Sequence, residues 1–388
     1  MEKPHTLVLG SFAVMMAGMA PVEAASSEGR EVDAKHVMVY HEEGWFGGWP
    51  ANHGIWSWGN EILVGFTQGE YKDLGPDRHH IDREKPERHF LARSKDGGET
   101  WKITDPGKEG YLVPEGGFLH GIPRKDVPIP EVKQCPGGVD FTHPDFAMTV
   151  RTTDIHDGES RFWYSYDRGH TWEGPFVLPD FGFPGTAART DYIVNGKHDC
   201  MLFITVAKDN GKEGRPVCVR TRDGGKTWTL EGEIGPEPRG FAIMPATVRL
   251  SETDLLTVVR RRRGPKRWQS AYLSEDNGKT WEYLNDPVKD AGEGNPASLM
   301  KLEDGRLCLT YGYRAEPFSI RAKLSEDDGR TWSEDIVLRD DGANRDVGYT
   351  RMVQRPDGKV VVLYYFNDEE TGPERYVAAT IWTLPAKN

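Results

Sequence analysis

Ser325-Glu326-Asp327-Asp328-Gly329-Arg330-Thr331-Trp332 is one copy of an octad, S-x-D-x-G-x-T-W, that also begins at Ser94, Ser165, Thr221 and Ser274. Each copy reads as a tight turn. The Asp and the Ser or Thr supply oxygens to turn N–H groups, and the Gly supplies a position with φ > 0. The closing Trp is a large apolar plug at the start of the next strand. Four copies open with Ser and one with Thr, so the hydroxyl is kept throughout. The starts lie 71, 56, 53 and 51 residues apart, near the period of architectures built from one unit per repeat. About 50 residues with strand-type patterning make one four-stranded propeller blade.

Working outward from the octads, the intervening segments share a second pattern: an apolar strand, a polar turn, and another apolar strand. These hairpins are Gly54–Phe66, Thr190–Thr205, Ala246–Val259, Ala297–Tyr311 and Arg351–Tyr365, with a less regular sixth at Asp145–Tyr164. The expected fold is therefore all-β, a six-bladed β-propeller over residues 36–388 whose last blade lacks an octad. Seven blades is the alternative, because residues 103–145 have room for extra strands. Residues 68–88 and 103–145 read as long insertions, and in a propeller both would overhang the channel mouth. Val37-Met38-Val39-Tyr40 is placed to pair with Tyr376–Leu384 and close the ring, which removes open sheet edges.

Composition limits the function. A formal charge of −12 argues against nucleic acid, which needs a basic footprint. No membrane span follows the first 25 residues. Residues 1–25 read as a signal peptide, with an apolar run from Thr6 to Met19 and Val22-Glu23-Ala24 before the cut; a buried N-terminal helix is the competing reading. Export would make the mature chain secreted or periplasmic, and it is read as a monomer. Cys135, Cys200, Cys218 and Cys308 have no metal-type spacing, and their pairing is open. No metal or cofactor is expected.

Stacking the repeats also puts polar groups at one mouth of the channel. First strands begin near His53, His143 with Asp145, Arg189 with Asp191, Asn295, and Tyr349 with Arg351; second strands end near Glu70, Arg260 with Arg261, and Arg314. His53, His79, His80, His89, His120 and His143, six of the twelve histidines, all precede the third blade, and His53 and His143 are the best placed of them for acid/base work.

The octad resembles the Asp box, or BNR repeat, of the sialidase (neuraminidase) superfamily. That resemblance covers most of the mature length and implies that the boxes are fold staples away from the catalytic centre. It also implies an arginine cluster for a substrate carboxylate, a Tyr nucleophile supported by a Glu, and an Asp acid/base on a first-blade loop. By position, Tyr349 matches the nucleophile, with Asp346 and Glu293 as candidate partners. Asp82 matches the acid/base, and Arg260, Arg261 and Arg314 match the later arginines. Arg351, Arg189, Glu70 and Asn295 complete the expected substrate-binding set. Two places depart from the family: its first arginine is replaced by Asn52-His53-Gly54-Ile55, and its Glu position reads Asn295-Pro296. The expected function is a sialidase-like glycoside hydrolase acting on anionic glycans that carry sialic acid or uronate. The alternatives are a lyase acting on uronate polymers through His and Tyr349, and a glycan-binding propeller without catalysis.

Overall fold

In a computed structural model, which describes Met1 and residues 32–387, the chain forms a six-bladed β-propeller with six separate sheets. The leader expected over residues 1–25 lies, Met1 apart, outside the described residues. Each regular blade starts at the channel and works outward through antiparallel hairpins. Blade 4 is representative, with Phe241–Arg249, Leu255–Arg263, Lys266–Ser274 and Glu282–Val288 in that order. Blade 6 is completed by the N-terminal strand Ala34–Tyr40, which pairs antiparallel with Tyr376–Trp382, Val37 lying opposite Ala379. Both ends of the described chain are thereby tied into one sheet, which fastens the ring.

The five octads sit between the third and fourth strands of blades 1, 3, 4 and 5, and between the last two strands of blade 2. Their chemistry is local and repeated. In the Ser325 copy, the hydroxyl of Ser325 donates to Asp327 Oδ1 at 2.8 Å and accepts from Gly329 N at 2.9 Å. Asp327 also accepts from Thr331 N at 2.8 Å and Thr331 Oγ1 at 2.6 Å. Gly329 takes φ 84°, where an L side chain is strained, and its carbonyl accepts from Trp332 Nε1 at 3.1 Å. Asp327→Ala removes all of these carboxylate bonds. The expected cost is about 1–3 kcal/mol of stability in urea unfolding, with any enzymatic activity unchanged, because the turn lies on the face opposite the cleft described below.

The apolar core is distributed between blades. Val360, Val362 and Tyr364 of blade 6 pack with Cys308, Ile320 and Ala322 of blade 5, while Val361 and Leu363 point the other way onto Ile62, Val64 and Phe66 of blade 1. Alternation along the strand thus joins each blade to both neighbours. The four cysteines are buried free thiols. Cys200 and Cys218 lie on paired strands but are offset, Cys218 facing Phe203 and Cys200 facing Thr221.

Blade 2 departs from the expected repeat. Its hairpin, Ala147–Thr152 with Ser160–Ser165, runs directly into the Ser165 octad, so the sheet has only three strands. The strand Ala147–Thr152 therefore climbs from the octad face to the mouth, the reverse of the innermost strands elsewhere. His143 and Asp145, which precede it, lie on the octad face.

Candidate active site

The mouth opposite the octads holds a cleft of about 910 Å³. Nine of its lining residues are Arg and three are Asp or Glu, so the cleft is cationic in a chain of net charge −12. Such a mouth draws anions against the net charge of the molecule. Both long insertions reach it: Leu74, Asp77, His79 and Arg83 from the first, and Phe118 and His120 from the second.

Tyr349 stands in the cleft on a distorted strand start. Its φ is 52°, unusual for an aromatic residue, and the register of Gly348–Gln354 against Val360–Phe366 shifts between Gly348 and Arg351. Bulges of this kind re-aim side chains beside sites. Asn295 holds the distortion: its Oδ1 accepts from Tyr349 N at 2.8 Å and its Nδ2 donates to Val347 O at 2.9 Å. Gly348, at φ 106°, lies so close that a Cβ there would sit 2.5 Å from Asn295 Nδ2. Asn295 is fully buried and acts on the backbone, so it positions Tyr349 and does not line the cleft.

Two arginines flank the phenol. Arg260 Nη1 lies 3.5 Å from Tyr349 Oη, and the Arg314 guanidinium carbon is 5.4 Å from the ring centroid. Arg260 lines the cleft, and its Nε is buried without a partner. Arg314 is anchored instead, donating through Nε to Val347 O at 2.9 Å and through Nη2 to Tyr365 Oη.

Beside them lies a His–Asp pair supplied by distant parts of the chain. His79 Nδ1 is 2.6 Å from Asp346 Oδ1. The same carboxylate accepts from Tyr365 Oη at 2.5 Å and, through Oδ2, from Arg375 Nε at 3.1 Å. Burial opposes ionisation of Asp346, but His79, Arg375 and Arg314 outweigh it and hold the carboxyl well below the usual range. For His79, burial lowers the pKa, and Asp346 opposes that only in part. With Nδ1 held by the carboxylate, Nε2 is the nitrogen available to the cleft. The ring lies 6.3 Å from that of Tyr349 and 5.1 Å from that of Trp49.

The other expected residues divide. Glu293 and Arg189 line the cleft, Arg189 paired with Glu213 at 2.6 Å. Arg261, next in strand to Arg260, projects to the opposite side, donating to Tyr272 Oη at 2.5 Å and lying over Trp268; period-2 alternation excludes both neighbours from one face. Asp82 turns away from the cleft to cap the backbone, accepting from Glu84 N at 3.0 Å and Lys72 Nζ at 3.2 Å. Glu70 is outside the lining, 3.6 Å from Lys85 Nζ. Arg351 plugs the channel below: its Nη2 donates to Ala51 O at 2.6 Å and to Thr190 O, and Asp191 is its counter-charge. His53 is buried under the cleft with Nε2 on Thr67 Oγ1 at 2.9 Å. His143 packs on Tyr166, their ring centroids 4.9 Å apart, on the octad face. Neither His53 nor His143 reaches the cleft. The first-loop histidine that does is His79, and its proximity to Asp346 has no signature in local sequence.

Comparison with known proteins adds a lineage. Residues 146–362 match the family model described as a BNR repeat-like domain. A protein named as a sialidase, from Paraclostridium sordellii, is 23% identical over 269 residues, which is 61% of this chain and 63% of that protein. The chain thus spans less than two thirds of that relative's length. Among solved structures, a protein of unknown function from Dyadobacter fermentans superposes with a TM-score of 0.67 at 19% identity, covering 91% of this chain and 100% of that one. The NanB sialidase of Streptococcus pneumoniae gives 0.58 at 12% identity, covering 89% and 70%. An α-L-arabinofuranosidase from Fusarium graminearum gives 0.54 at 14%, covering 87% and 96%. These likenesses establish a shared fold, and the family match spans more than half of the sequence: the chain belongs to the BNR repeat-like domain family, on a sialidase-like six-bladed propeller.

Proposed function

We propose that this protein is a glycoside hydrolase that cleaves a carboxylate-bearing sugar, a sialic acid or a uronate, from an anionic glycan. The observation that carries this reading is Tyr349 at the cleft, 3.5 Å from Arg260 and beside the His79–Asp346 pair. Arg260 receives the sugar carboxylate and brings the anomeric carbon to the phenol. A neutral nucleophile avoids repulsion from an anionic sugar. Glu293, on the cleft wall, is the carboxylate available to accept the phenol proton. His79 gives its proton to the leaving oxygen and is reset by water in the second step, with Asp346 holding the ring in one orientation. Phe118, 66% exposed at the rim, offers an apolar face to a sugar ring.

The His79–Asp346 pair favours one alternative. A histidine oriented by a carboxylate can also remove the proton beside a uronate carboxyl, with Tyr349 protonating the departing oxygen. That elimination consumes no water and leaves an unsaturated sugar that absorbs in the near ultraviolet. Incubation with sialylated and uronate-containing glycans, followed by mass spectrometry, separates the outcomes. Hydrolysis adds one water across the fragments, elimination adds none, and binding without any product leaves a lectin-like role.

Within the hydrolase reading, Arg260→Gln is expected to raise KM at least about 10-fold, the loss of one charge-assisted hydrogen bond. Arg261→Gln is expected to leave KM within a factor of two or so, because its guanidinium faces Trp268. Equal effects in the two variants would count against Arg260 as the carboxylate grip.

A further inference from the structure

The wall of the cleft formed by blades 1 and 2 contains a second group of charged residues that this mechanism does not use. Arg151, on Ala147–Thr152, lines the cleft with Arg83, Thr67 and His120 and is only 8% exposed. Its Nη2 lies 3.2 Å from His89 Nε2, and its Nη1 is buried without a partner. Glu87, the acid whose charge reaches Arg151, is already in contact with Arg83 and lies 4.0 Å from His120 Nδ1. Among the described residues no carboxylate forms an ion pair with Arg151.

The histidines around Arg151 supply no negative charge. His53, His89 and His120 form a row, with centroid separations of 4.8 and 5.2 Å. Burial, and then the charge of Arg151, push all three toward the neutral form. With Arg83 and Glu87 cancelling, the cluster holds one unmatched positive charge, nine-tenths buried, at the wall of an open cleft. A desolvated cation of this kind is costly unless an anion meets it. Arg151 belongs to blade 2, whereas Arg260 lies on Leu255–Arg263 of blade 4. In a ring of six one blade separates these two, so the arginines stand on different walls of the cleft.

We infer that Arg151, with Arg83, His120 and Thr67 around it, forms a second anion subsite, so that the cleft is built for a glycan carrying acidic groups on neighbouring sugars. One acid lies at Arg260 beside Tyr349 and the next, a carboxylate or a sulfate ester, at Arg151. This rests on the reading of the cleft as an anionic-glycan site and names its substrate class more narrowly.

The test is binding by calorimetry to the intact protein at fixed ionic strength, which requires no turnover. One probe pair is trigalacturonate and the same trisaccharide with all but one carboxyl methyl-esterified. The other is a chondroitin disaccharide with and without a 6-O-sulfate. The wild type is expected to bind the multiply charged member of at least one pair 10-fold or more tightly, the pair identifying the acid. Arg151→Gln should abolish that preference, Arg151→Lys should keep part of it, and Arg260→Gln should weaken both members alike. Equal wild-type affinities within both pairs would overturn the inference, as would a preference that survives in a folded Arg151→Gln. Preferential binding with no product from any glycan would sink the hydrolase and lyase readings while leaving the subsite standing.

Discussion

Tyr349→Phe is expected to lower turnover of a cleaved glycan by about 10³-fold or more while leaving the fold intact. The change removes one oxygen whose only described contact is Arg260 at 3.5 Å, too long and weak to matter for stability. The ring contacts with Tyr365 and His79, at 5.9 and 6.3 Å, are retained. So are the backbone bond to Asn295 and the bulge that aims the residue. A phenyl ring can neither attack an anomeric carbon nor donate a proton, so hydrolysis and elimination should fail together. The check is kcat beside the thermal unfolding midpoint. A wild-type rate would remove Tyr349 from the chemistry, and a rate loss matched by a lowered midpoint would assign it to structure.

Asp346→Asn is expected to damage both stability and activity, because one carboxylate joins the two. Its side chain is 4% exposed, against 2% for Arg375 and 3% for Arg314. Neutralising it leaves two buried guanidinium groups short of a counter-charge, which typically costs about 3–5 kcal/mol. The pH dependence has a definite sign. The folded state holds Asp346 below its ordinary value, so its contribution is complete above the ordinary carboxylate range and is lost as pH falls below about 4. Wild type and variant should therefore converge in acid and diverge toward neutral pH in urea unfolding. In catalysis, the variant loses the pull that opposes burial at His79, so the limb of the pH–rate profile belonging to His79 should move to lower pH. A rate loss of about 10²-fold or more is expected from a mispositioned acid. A variant with the wild-type profile would exclude His79 as the group that titrates.

The octads were legible because their chemistry is confined to eight consecutive residues: a hydroxyl, a carboxylate and a glycine reaching nearby N–H groups. The hairpins were legible for the same reason, since polar turns between alternating apolar runs are local events. Ring closure by Val37–Tyr40 followed from the need to cover an edge. Blade 2 was not legible, because the hairpin Asp145–Tyr164 has the pattern of an inner hairpin although its sheet has only three strands. A missing strand reverses the path of everything before the octad, and this carried His143 to the wrong face. Arg260 and Arg261 were both expected to grip a carboxylate, and strand alternation turns Arg261 to the other side, onto Tyr272 and Trp268.

By itself, the sequence determined a β-propeller with turn-stapled blades, a closing N-terminal strand, and a polar mouth holding Tyr349, Arg260 and Arg314. The tertiary structure decided which charges meet. His79 and Asp346 are 267 residues apart and come together because the first and last blades are neighbours in a closed ring. Asp82 and Arg351 carry suitable groups but spend them on a turn and on the channel plug. Arg151 gains its proposed role from having no carboxylate ion-pair partner among the described residues. Strand patterning follows from side-chain alternation along one segment, whereas a site on a ring is assembled across the axis from different blades, and no local pattern encodes that meeting.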